Sequence, residues 1–120
     1  MKQKVHSVSY LAKAEFEFKN GVYDLVALPT GAEVVKVSLE VVGNTNGGSI
    51  SVGFKDETNK NYFLILENIT TNQDKATSAK DYTATSNNVI VAEVKNASAT
   101  DTKGVLRVLY FLPSVIEVEY

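Results

Sequence analysis

One histidine, fourteen acidic residues and no cysteine set the outer limits on any chemistry this chain performs. A nucleophilic triad would have to draw its base from His6, and no serine sits in a motif that would place it beside a histidine. Without thiols, and with a single imidazole, the chain cannot assemble a zinc, copper or iron site of the usual nitrogen and sulfur donors. Carboxylates alone could hold calcium through six to eight oxygens. Asp56-Glu57 and the segment bearing Asp74 and Asp81 are the places to look, although no stretch spaces its acids as a calcium loop does. A glycosidase needs two carboxylates at a set separation, one of them in an apolar setting. Glu15 with Glu17, and Glu117 with Glu119, instead alternate along strands as solvated faces do. Gly47-Gly48 is not followed by the lysine and hydroxyl residue of a phosphate cradle. No cofactor, no metal and no enzyme activity are expected.

Charge excludes further classes. The net charge of −2 is spread evenly, with no dense basic face for nucleic acid, and every basic residue but Arg107 is lysine. No apolar run approaches the length that spans a bilayer, and Met1-Lys2-Gln3-Lys4-Val5-His6 is not followed by the apolar stretch of a secretion signal. Synthesis in the cytoplasm is the expectation.

The elements that would carry any site are strands. Leu28-Pro29-Thr30-Gly31-Ala32 turns the chain into a run over 33–42 in which Val35, Val37, Leu39 and Val41 alternate with Lys36, Ser38 and Glu40, the period of a half-buried strand. Residues 4–10 read as a weak strand or an extended N-terminal arm over 1–10. Ala14, Phe16 and Phe18 alternate with charged residues, and Asn20-Gly21 then predicts a β-hairpin over 13–27 through a type I′ turn. Ile50, Val52 and Phe54 form the next strand, where Gly53 marks a bulge or a close backbone approach. A dense apolar strand, covered on both sides, is predicted over 61–66. Residues 67–87 read as a long polar loop with a short strand hidden near 81–85, or as a contact loop. Strands resume over 89–94, over 104–112 and over 114–120. Together they predict a single all-β domain over 1–120, an antiparallel β-sandwich of eight or nine strands arranged as a jelly roll.

Tyr10, Tyr23, Tyr82 and Phe111 exceed what the inward faces can hold, and surplus aromatic surface marks contacts between proteins or platforms for sugars. The Leu-Pro-x-Gly-Ala turn before a long valine-rich strand (Leu28 to Val42), a short strand with a Val-Gly pair (Ser49 to Phe54) and a final glycine-led strand (Gly104 to Leu112) carry a resemblance. In this order they resemble the jelly-roll head decoration, or cement, proteins of tailed bacteriophages. The resemblance implies a virion protein that binds the outer capsid surface in many copies. Its partners would be the major capsid protein and further copies of itself, often as trimers, with neither nucleic acid nor membrane involved. Position and surplus hydrophobicity single out Lys2, Lys4, Val5, Tyr10, Ile116, Val118 and Tyr120 as contact residues. The competing expectations are a carbohydrate- or receptor-binding module using Tyr23 or Tyr82, and a structural protein of the phage tail.

Overall fold

The computed structural model describes residues 2–55, 59–97, 101–113 and 115–119, the last of these through backbone course and register alone. Eleven strands are present among them: β1 (Lys2–His6), β2 (Ser9–Glu17), β3 (Gly21–Leu28), β4 (Glu33–Val42), β5 (Ser49–Phe54), β6 (Leu64–Leu66), β7 (Lys75–Ser78), β8 (Tyr82–Thr83), β9 (Asn88–Lys95), β10 (Lys103–Phe111) and β11 (Val115–Glu119). Every ladder is antiparallel.

Four ladders are nested in sequence: β2 with β10, β3 with β9, β4 with β7 and β5 with β6. Nested pairs of this kind amount to one long antiparallel ribbon. Pairing of β10 with β4, and of β9 with β5, rolls the ribbon into two sheets, ordered β2-β10-β4-β7 and β3-β9-β5-β6, with β8 also on β4. This is the winding of a double-sheet jelly roll. The all-β sandwich expected from the alternation is therefore the observed architecture.

The core lies between the sheets. Phe16, Val34, Val37, Leu39, Leu106 and Val108 face Val26, Leu28, Ile50, Val52, Ile90 and Ala92, and all are buried. β4 runs over the expected residues, yet its inward phase changes near its start. Tyr110 stands opposite Val34 while Leu109 stands opposite Lys36, so Val35 is an extra, bulged residue. Val34 is consequently the fully buried valine and Val35 only half-buried, the reverse of strict alternation.

The expected 13–27 hairpin does not form: β2 and β3 lie in different sheets. Gly21 has φ +149°, far from the left-handed value that a type I′ turn requires. The link crosses the sandwich instead. Phe18 is buried and its N–H donates to the Thr102 carbonyl at 3.0 Å, and Asn20 Oδ1 accepts the Ala97 N–H at 2.8 Å. A continuous nine-residue ladder with β10 outweighs the local preference of a two-residue turn.

The apolar strand expected over 61–66 shortens to β6, and Ile65 on its outer face is exposed. The 67–87 stretch holds two strands, β7 and β8, where one was expected near 81–85. Its backbone is bonded to its own chain: Gly47 N–H to Ile69 O (2.8 Å), Val41 N–H to Asp74 O (2.8 Å) and Gly31 N–H to Ala84 O (2.6 Å).

Candidate interaction surface

β1 and β11 form a two-stranded ribbon apart from both sheets. It continues the β2–β10 ladder past an interruption at Ser7-Val8 and Leu112-Pro113, where the Leu112 N–H still donates to the Val8 carbonyl at 2.9 Å. His6 closes the gap, its Nδ1–H donating to the Leu112 carbonyl at 2.9 Å. The register is Lys2↔Glu119, Gln3↔Val118, Lys4↔Glu117, Val5↔Ile116 and His6↔Val115. The pairs therefore include two of opposite charge and one wholly apolar.

At about 3.3 Å per residue, five residues carry this ribbon roughly 17 Å along the molecule. The protein is correspondingly long, 55 × 26 × 18 Å. A two-stranded ribbon standing alone in water is marginally stable, so one covered by a neighbour is better satisfied.

At the root of the ribbon the β2 edge exposes apolar residues on both of its faces. Val8, Tyr10 and Leu11 are 38%, 51% and 63% exposed, and Leu11 stands beside half-buried Leu109 across the β2–β10 ladder. Tyr10 meets Tyr110 edge-on at 5.9 Å. Farther along the same sheet the outer face turns charged, with Lys103–Glu15 (3.2 Å), Lys19–Glu17 (3.0 Å) and Arg107–Glu40 (3.6 Å) pairs.

The other surplus aromatics are engaged internally. Tyr23 packs on Phe16 at 5.5 Å and its hydroxyl donates to the Lys19 carbonyl at 2.7 Å. Tyr82 lies 4.7 Å from Phe54 and 5.5 Å from Tyr62, whose own ring is covered by Lys80 Nζ at 3.7 Å. The adjoining cavity, lined by Phe54, Lys55, Asn59, Tyr62, Tyr82 and Asn88, holds only about 190 Å³. Phe111 is half-buried. Among the described residues no three His, Asp or Glu side chains gather where they could share a metal. Asp74 and Asp81 precede different strands, while Asp56 and Glu57 lie outside the described residues.

Folding shifts the titration of the Glu93 carboxyl. Burial pushes its carboxyl up, but bonds from Lys60 Nζ (3.3 Å) and the nearby Lys95 ammonium (3.4 Å) more than offset this and hold it below the ordinary carboxylate range. The three side chains tie the turn after β5 to the outer face of β9.

No family model matches the sequence, and no curated protein does. Among solved structures, the chain is 73% identical to one in the structure described as the acidic stable capsid of Helicobacter pylori bacteriophage KHP30, covering 100% of both chains with a TM-score of 0.92. The chain belongs to a family of bacteriophage capsid-associated proteins. A chain in the cyanophage Pam1 capsid asymmetric unit, 20% identical, covers 88% of this chain and 85% of its own length at a TM-score of 0.68, a likeness of fold.

In this capsid-associated protein the structure brings the terminal contact candidates together. Lys2, Lys4, Val5, Ile116 and Val118 share the ribbon; Tyr10 belongs to β2 at its root; Tyr120 lies outside the described residues. Val8 and Leu11 are further exposed apolar residues there and were not singled out by sequence. Their signal was the lack of any charge between His6 and Lys13.

Proposed function

We propose that this capsid-associated protein is a non-enzymatic decoration protein that sits on the outer capsid surface in many copies and stabilises the head. It is made in the host cytoplasm, gathers as homo-oligomers, with trimers favoured, and bridges subunits of the major capsid protein without contacting nucleic acid or membrane. The observation that carries the reading is the ribbon: a β1–β11 pair apart from both sheets, with exposed apolar residues at its root, in a chain of capsid kinship. Docking through Lys2, Lys4, Val5, Tyr10, Ile116 and Val118 supplies modest contacts that multiply over many copies into firm retention.

The test is phage carrying the protein with residues 2–6 deleted, which removes β1 and leaves β2 whole. Expected are particles depleted of the protein, measured by gel densitometry of purified virions, and heads that burst at lower temperature. Unchanged occupancy overturns the docking assignment. Protein retained on intact virions but inaccessible to antibody overturns the outer location.

A further inference from the structure

Four strand edges bound the two sheets, and three of them are blunted against further pairing. β3 has a register shift between Asp24 and Val26, β6 has three residues, and β7 and β8 have four and two. Short strands and bulges are the usual defences of an exposed edge. β2 has neither: nine residues long, it pairs with β10 without a register shift. Charge defends only its second half, through Lys13, Glu15 and Glu17. The first half offers Val8, Tyr10 and Leu11, all exposed.

The hydrogen-bonding direction of this edge follows from its two ends. Phe18 N–H donates to Thr102 O, and Val8 O accepts from Leu112 N–H. Bonding alternates along an antiparallel pair, so even-numbered residues face β10, and Ser9, Leu11 and Lys13 present N–H and C=O to the free side.

We propose that this edge pairs with the same edge of a second copy, antiparallel about a twofold axis at Leu11. Residue types select the register. With the axis there, Leu11 faces Leu11, Tyr10 faces Ala12 and Val8 faces Ala14, while Lys13 faces Ser9 and Glu15 faces Ser7. Every exposed apolar residue meets an apolar one and no like charges stand opposite. An axis at Ala12 sets Leu11 against Lys13, one at Lys13 sets that lysine against itself, and one at Ala14 sets Leu11 against Glu17. An axis at Tyr10 sets Leu11 against Ser9. A second copy fits because one edge supplies both halves of a self-complementary contact. The contact lies about a twofold, so it can join trimers to one another on a surface without replacing the trimer contact.

The chain has no cysteine, which makes the test clean. In the proposed register the two Leu11 Cα atoms stand roughly 5.5 Å apart, within disulfide range. Leu11→Cys, in free purified protein under mild oxidation, is expected to give a covalent dimer on non-reducing electrophoresis. Glu17→Cys, on the same edge but far from the axis, is expected to form no covalent dimer. Light scattering should show Leu11→Lys lowering the mass of the free protein at high concentration. A folded Leu11→Cys variant that forms no dimer overturns the proposal, as does equal crosslinking of both variants or an unchanged mass for Leu11→Lys. If Leu11→Lys depletes virions while Leu11→Cys never dimerises, another protein's strand occupies the edge and the second copy is excluded. The crosslinking and mass assays use free protein, so failure of capsid docking leaves them readable.

Discussion

At the scale of single residues, stability rests on a few places where the backbone tolerates no extra atom. A methyl added at Gly53 would overlap the Asn59 carbonyl and lie 2.6 Å from the Tyr62 nitrogen, backbone atoms that cannot swing aside. Gly53→Ala is therefore expected to lose about 2–3 kcal/mol, read from urea denaturation midpoints. Gly47→Ala meets no atom within 4 Å and bears only the strain of φ +100°, so it should cost about 1 kcal/mol. Equal losses at the two positions would show that space is not what selects glycine at 53. Glu93 makes a prediction in pH. Its folded carboxyl titrates below its unfolded value of about 4.3, so its contribution is complete above that value and is lost as pH falls through the lower, folded one. Glu93→Gln should cost about 1 kcal/mol at pH 7 and lose less stability than wild type between about pH 5 and pH 3, with melting temperatures converging. A constant gap across that range would mean the Lys60 and Lys95 contacts do not act through charge.

Elements obey a different rule: a strand's pattern is local and its partner is not. The alternation over 33–42 and the glycine within β5 were readable because side-chain period and backbone crowding are properties of neighbouring residues. Asn20-Gly21 misled because a favourable turn is worth little beside nine residues of ladder formed with β10. The bulge at Val35 is invisible in an unbroken valine-rich run, and it appears only when β10 sets the register. β7 hides for the related reason that a short polar edge strand borrows its order from β4. The terminal ribbon was the least legible, since nothing near Lys2 announces Glu119 as its partner. What holds that ribbon to the sandwich is local and can be tested. His6→Ala removes the bond that bridges the interruption, leaving the core untouched. Amides of β1 and β11 are then expected to exchange about tenfold faster, as for loss of one hydrogen bond, while the melting temperature stays nearly constant. Unchanged exchange would mean the ladder alone fixes the ribbon.

For the molecule as a whole, the nested ladders imply an order of assembly. Val52 stands opposite Leu64, roughly a dozen residues along the chain, whereas Phe16 stands opposite Gly104, about ninety residues away. Closing the inner pair first leaves progressively less chain to order at each later step; closing the outer pair first orders the longest loop with nothing inside it to compensate. The ribbon should therefore zip outward from β5–β6, with β2–β10 formed last, and refolding should fall in the millisecond-to-second range of nonlocal β topologies. Mutations report the order through their effect on rates. Val52→Ala is expected to slow folding, with φ above about 0.5, and Phe16→Leu chiefly to speed unfolding, with φ below about 0.3. Both residues are buried, so each substitution removes enough stability to measure. Chevron plots of the two variants decide the matter, and a high φ at Phe16 would mean that the outermost ladder of the two sheets, despite its loop, forms first.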